Sequence, residues 1–267
     1  MPAYPASGQG GMMLTPAQEH WQRTMAARRG DEHMSSATLT AYEQVLHRLR
    51  IDQARLSGLQ GKARKAEYKR TVMAAYDGWI DGVLAADTGQ ADEVLTHIMI
   101  WQIDIGNYGR ALTLAAYVIR HNLPLPDRYQ RTIGPLLVDE ICDQALTIFA
   151  TGDTTLDPIP LDILEQLTEL VTPLDMPNQV RAKLFKTLAY TLRIQPQRAA
   201  QERALSLMQE ALLLFANIGV KKEIETLMRE LKKSEGTVIP PSAPKPATTG
   251  KKPPKTKTTA EKKTSSR

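Results

Sequence analysis

The sequence predicts an all-α protein built from successive antiparallel helix hairpins, with a disordered basic C-terminal tail. Three observations carry this reading. Apolar residues recur three, four and seven apart along most of the chain, the spacing of a buried helical face. Those stretches are punctuated by caps, glycines and prolines where helices start and stop. An alternating apolar–polar pattern of useful length, the mark of a strand, does not occur. Helices of this kind bury their apolar stripes against one another.

The organising stretch is Glu93 to Pro126. Val94, Leu95, Ile98, Ile100, Trp101 and Ile105 mark one buried face. The pattern stops at Gly106-Asn107, two residues that tolerate the left-handed conformation ending a helix. A second apolar pattern runs through Ala111, Leu112, Leu114, Ala115, Val118 and Ile119. It closes at His121-Asn122, and Pro124 and Pro126 forbid continuation. The small residues Ala111 and Ala115 let the two helices approach closely. The turn Gly106-Asn107-Tyr108, followed by Ala111-Leu112, is similar to the turn of a tetratricopeptide repeat. Met99 and Gln102 stand where other signature residues of that repeat are expected, so the likeness covers only the turn and the second helix.

In chain order, residues 1–14 hold Pro2, Pro5 and three glycines with little periodicity, and disorder is expected. Thr15 caps a helix with Pro16 at its first position, running to about Arg29 and broken at Gly30-Asp31. Ser35 or Ser36 caps the next, carrying Leu39, Tyr42, Val45, Leu46, Leu49 and Leu56 inward. Gly58 and Gly61 weaken it, and a third helix spans about Lys62 to Ala86, so 35–86 forms a long hairpin or a long bent helix. Residues 15–90 are thus an N-terminal helical region and 91–235 a helical-hairpin domain. Within the latter, Asp127 caps a helix to Ala150, Gly152 to Pro160 is a loop, and a short helix covers Leu161 to Val171. Further helices cover about 178–194, 197–216 and Val220 to Lys232. From Gly236 the composition turns to Pro, Lys, Thr and Ser, and residues 236–267 are expected to be disordered.

The chain of 267 residues is formally +5. Residues 236–267 hold seven lysines and Arg267 against Glu261, a net +7, so the folded part sums to −2. A basic tail of this kind points to an anionic partner or to solubility. No apolar run reaches the roughly 20 residues needed to span a bilayer, and no leader of charged-then-apolar type opens the chain. No membrane association is expected. The single cysteine, Cys142, lies in an apolar helical pattern and reads as a buried structural residue of a reducing compartment. Glu140, Ile141 and Asp143 beside it oppose thiolate formation.

Catalytic patterns are sparse. There is no phosphate-binding loop, no Cys/His cluster with zinc spacing and no Ser-His-Asp pattern. The catalytic residues, if any, are not identified. Two acidic groups could each hold one metal ion with waters: Asp77 with Asp81, and Asp139 with Glu140 and Asp143. Each also reads as a solvated helix face. The basic signal is sharper. Residues 47–70 hold Arg48, Arg50, Arg55, Lys62, Arg64, Lys65, Lys69 and Arg70 against Asp52 and Glu67, a net +6. Arg48, Arg55, Lys62 and Lys69 are each seven apart, one cationic stripe on a continuous helix. Such a stripe either neutralises phosphates along a groove or forms a solvated face.

The segments TPAQEHWQRTMAA, AYEQVLHRLRIDQARL, WIDGVL, MIWQIDIGNYGRALTLAAYVIRHNLPLPDRYQRT, LVDEICDQAL, DMPNQVRAKLFKTLAYTLR and GVKKEIETLMREL follow one another in the order and separation of a known family. From about Thr15 to Leu231 the chain resembles the small terminase subunit, also called the terminase endonuclease subunit, of temperate contractile-tailed phages that package cohesive-ended DNA. The resemblance implies a role in cutting concatemeric phage DNA at its packaging site and loading it into the prohead. It implies phage DNA and the large terminase ATPase as partners, a homo-oligomer, and work in the bacterial host cytoplasm. In that division of labour the chain recognises DNA and directs cleavage, with no cofactor of its own; from the charge pattern alone, Arg48, Arg55, Lys62, Arg64, Lys65 and Lys69 are the candidate DNA contacts. Two alternatives stand beside it: the chain is itself the endonuclease, which requires Mg²⁺, or it is a tetratricopeptide-like adaptor that binds protein only.

Overall fold

The structure is a computed structural model, and it describes residues 14–27, 36–126, 131–151 and 158–235. Among these the regular secondary structure is entirely helical: α1 (Pro16–Ala27), α2 (Ser36–Ser57), α3 (Lys62–Val72), α4 (Ala74–Ala86), α5 (Glu93–Asp104), α6 (Tyr108–Arg120), α7 (Ile133–Thr151), α8 (Leu161–Val171), α9 (Asn178–Arg193), α10 (Arg198–Leu214) and α11 (Lys221–Glu235). The two segments expected to be disordered, the break at Gly30-Asp31 and the cap at Asp127 lie outside the described residues, apart from Leu14. None of these helices is long and apolar enough to cross a membrane.

The helix ends follow the local chemistry of the sequence. Thr15 caps α1: its hydroxyl accepts from Gln18 N at 3.3 Å, and Gln18 Oε1 accepts from Thr15 N at 2.8 Å, a reciprocal capping box. Gly106 ends α5 in the left-handed region at φ +83°. Its N–H donates to the Ile103 carbonyl at 3.0 Å, and Asn107 N donates to the Gln102 carbonyl at 2.9 Å. Asn122, at φ +48°, ends α6 in the same way. Asn122 N bonds the Ile119 carbonyl at 3.1 Å and Leu123 N the Val118 carbonyl at 2.9 Å. Both are Schellman ends, which satisfy carbonyls that a helix terminus leaves bare.

Two boundaries differ most from expectation, the others by no more than three residues. The helix expected over Lys62 to Ala86 divides at Met73 into α3 and α4. α7 begins at Ile133, because Arg131 and Thr132 are not helical and the Thr132 carbonyl accepts the first bond, from Leu136 N at 3.2 Å.

One cluster of buried apolar side chains runs from Met25 to Leu231. Its largest members are Trp79, Trp101, Tyr76 and Tyr117. α5 is the most deeply set helix, buried at every position from Val94 to Ile103, and Met99 and Gln102 are part of that interior. α5 pairs with α6, α9 with α10 and α10 with α11, as successive hairpins require. The most extensive pairings that skip along the chain are α1 on α4 and α7 on α9.

The α1–α4 contact is made by glycine. A Cβ on Gly78 would lie 2.9 Å from the Glu19 carbonyl oxygen, and one on Gly82 would lie 2.8 Å from Ala26 Cβ and closer still to the Arg23 carbonyl oxygen. Neither glycine needs an unusual φ; each is there so that the α1 backbone can lie directly on α4. Gly82→Ala gains helix propensity of about 1 kcal/mol, but the clash with backbone outweighs it. A net destabilisation of about 1–3 kcal/mol is expected in urea unfolding. A stabilised variant would show that α1 does not sit on this face.

Candidate nucleic-acid interface

The basic residues of 47–70 fall on α2 and α3, which flank an uncharged four-residue connection. Arg50, Arg55, Lys62 and Arg64 are exposed, and Arg48 and Lys65 are half-buried. A two-helix corner joined by a short glycine-containing turn presents the first turn of its second helix outward. Here that first turn carries Lys62, Arg64 and Lys65.

The corner is braced from beneath by a polar network. Asp52, only 6% exposed, accepts hydrogen bonds from Tyr68 OH at 2.5 Å and from Tyr76 OH at 2.6 Å. It therefore ties α2 to both α3 and α4. Burial first, and then the bond to Asp52, pushes both phenols above the ordinary tyrosine range. Arg55 Nη1 donates to Tyr68 OH at 3.5 Å, and this bond raises the Arg55 pKa. Asp52 thus organises the basic face instead of offsetting its charge in solvent. The sequence reading missed this, since nothing in the spacing of Asp52, Tyr68 and Tyr76 announces it.

The continuous stripe does not form. Residues 58–61 interrupt the helix, so the seven-residue spacing no longer keeps one face. Lys69 is buried at 9% exposed. Its ammonium pairs with Asp104 of α5 and stands 5.8 Å from the centre of the Trp101 ring. Lys69 is a strut between α3 and α5; Arg50, Arg55, Lys62, Arg64 and Arg70 are exposed, and Arg48 and Lys65 are half-buried.

Both acidic faces are engaged with basic neighbours. Asp81 pairs with Arg110 and lies 3.7 Å from Arg23. Asp139 pairs with Arg131 and with Lys183, whose Nζ also lies 2.7 Å from Asp143. Asp77 is half-buried, and loss of solvent is the main reason its pKa is raised. Among the described residues no three His, Cys, Asp or Glu side chains form a group able to hold a metal. Cys142 is fully buried, and burial pushes its thiol up to about 12. A thiol held so far from its thiolate reacts slowly. A disulfide reagent is expected to leave the native protein untouched and to label one thiol per chain in denaturant; rapid native labelling would contradict this burial.

In class, then, the chain is an array of packed helices with a cationic two-helix corner near one end. A family model described as the phage small terminase subunit matches residues 46–179, from the basic half of α2 to the start of α9. The terminase endonuclease subunit of Escherichia phage P2 is 35% identical over 221 residues, which cover 82% of this chain and 87% of that relative. No solved structure matches the chain. The chain belongs to the phage small terminase subunit family, and its role lies in phage DNA packaging.

Proposed function

We propose that this chain is the DNA-recognition and regulatory subunit of a packaging terminase, directing cohesive-end cleavage by a large ATPase subunit in the bacterial host cytoplasm. The observation that carries the reading is the α2–α3 corner, where Arg50, Arg55, Lys62 and Arg64 are exposed on two helices locked together through Asp52 and Tyr68. Fixed cations on a rigid two-helix corner suit phosphate contacts that position the protein on a duplex. The first turn of α3 is the part best placed to approach base edges, as the second helix of such corners does. The large subunit supplies ATP hydrolysis, for which this chain has no phosphate-binding loop. Self-association of the chain belongs to the same reading, and light scattering on the purified protein tests it.

The test is a footprint of the purified chain on its own packaging site, with and without the large subunit. Protection of that site by the chain alone is the expected result. Protection only when the large subunit is present would make the chain a protein-binding adaptor. A second reading, that the chain is itself the nuclease, is favoured by the relative's printed name, terminase endonuclease subunit. It is separated by a nicking assay with Mg²⁺ or Mn²⁺ on the chain alone, repeated with Asp77, Asp81, Asp139 and Asp143 each changed to Asn. Cutting by the wild-type chain that one of these changes abolishes, with folding intact, would overturn the regulatory reading.

A further inference from the structure

α2 turns one side to the core and the other to solvent. Ala41, Val45, Leu49, Asp52 and Leu56 are buried along the first side. Opposite them, His47, Arg50, Ile51, Ala54 and Arg55 are exposed. At roughly 3.6 residues per turn, His47, Ile51 and Ala54 share the middle of that outer face. Arg48 and Arg55 flank it on one side and Arg50 on the other.

Single exposed apolar side chains are ordinary on protein surfaces, but Ile51 is set apart by its place. The exposed large apolar side chains among the described residues are Trp21, Ile51, Ile194, Leu213 and Met228, and of these Ile51 alone stands in the basic region 47–70. It is 43% exposed, with arginines on both flanks. An isoleucine has neither charge nor a side-chain hydrogen-bond donor, so it contributes nothing to phosphate binding. On a duplex, the apolar group offered at the base edges is the C5-methyl of thymine, which lies in the major groove. That groove, about 12 Å wide, admits an α-helix, whereas the minor groove, about 6 Å wide, is narrower than a helix with its side chains.

We propose that Ile51 is a specificity-determining residue: with Arg48, Arg50 and Arg55 held towards the phosphates, it packs on a thymine methyl in the major groove. Ala54, one turn along α2, is small enough to let the helix approach the base edges. The inference rests on the DNA-recognition reading and adds base readout from α2 to that from the first turn of α3. An apolar contact discriminates between bases without neutralising charge, so it leaves the salt dependence of binding alone.

The test is a binding titration at fixed salt on two versions of the packaging-site duplex. One carries thymine; the other carries uracil throughout, which lacks the C5-methyl and keeps its base pairing. The wild-type chain is expected to bind the uracil duplex about fourfold more weakly or worse, the effect of one buried carbon group. Ile51→Ala should bind the thymine duplex more weakly by about the same factor or more and lose the preference for it. Ile51→Val, which keeps a branched apolar side chain, should retain most of that preference. The slope of log affinity against log salt should be the same in all three proteins. Urea melts of the variants should match the wild type, because Ile51 lies at the surface. Equal binding of the wild-type chain to both duplexes, or a thymine preference undiminished in Ile51→Ala, would overturn the inference and leave DNA recognition standing. Failure of the wild-type chain to bind the thymine duplex would overturn the DNA-recognition reading, and the role of Ile51 with it.

Discussion

Trp101→Ala is expected to cost about 3–5 kcal/mol of folding stability, the range for truncating a large aromatic in a packed interior. Trp101 is 1% exposed and sits on the most deeply buried helix. Tyr76 of α4 meets its ring edge-on at 6.2 Å between centroids, and the Lys69 ammonium stands near its face. The indole therefore joins α3, α4 and α5, and neighbours pinned from three helices collapse poorly into the space it leaves. Urea unfolding followed by circular dichroism measures the change, since Trp101 itself contributes to fluorescence. A loss under about 1 kcal/mol, far below the usual cost of such truncations, would show that the three helices close over the gap.

The second large effect is expected in DNA binding. With Arg48, Arg55, Lys62 and Arg64 all changed to Gln, each lost phosphate contact should lower the slope of log affinity against log salt by roughly 0.9. Lys69→Gln makes the contrast. Its amine is committed to Asp104, so the salt slope should stay as in the wild type, while stability falls by about 1–3 kcal/mol as a charged hydrogen bond in a partly buried setting is lost. Binding titrations over a series of salt concentrations, beside urea melts of the same proteins, separate the two effects. An unchanged slope in the quadruple variant would assign those residues to a solvated face.

Lys69 also shows where the sequence could and could not be read. The ends of α5 and α6 were legible because Gly106 and Asn122 act locally: each takes up the positive φ that ends its helix, just where the apolar pattern stops. Trp101 and Cys142 were legible as core because helical periodicity on one element suffices to place them. The face of Lys69 was not, because a seven-residue count holds only while the helix is unbroken, and residues 58–61 reset its phase. The α1–α4 pairing was hidden for a different reason. Gly78 and Gly82 read as weak helix formers, and their use appears only once the α1 backbone lies against them. In the acidic faces, the sequence placed Asp77 with Asp81 and Asp139 with Asp143. It did not show that Arg110, Arg23 and Lys183 come from distant positions, and Arg131 from just before α7, to meet them.

The Asp52 network has a consequence for how the proposed interface would engage a duplex. Two phenols anchored on one interior carboxylate hold α2, α3 and α4 in a fixed mutual orientation before any partner arrives. A corner already set in place gives up little backbone freedom on association, and lost freedom is among the main costs of binding. Charge and rigidity then become separable contributions to affinity. Removing surface cations changes how binding responds to salt. Loosening the Asp52 anchor would weaken binding by a similar amount at every salt concentration, because no phosphate contact disappears and only the ordering cost rises.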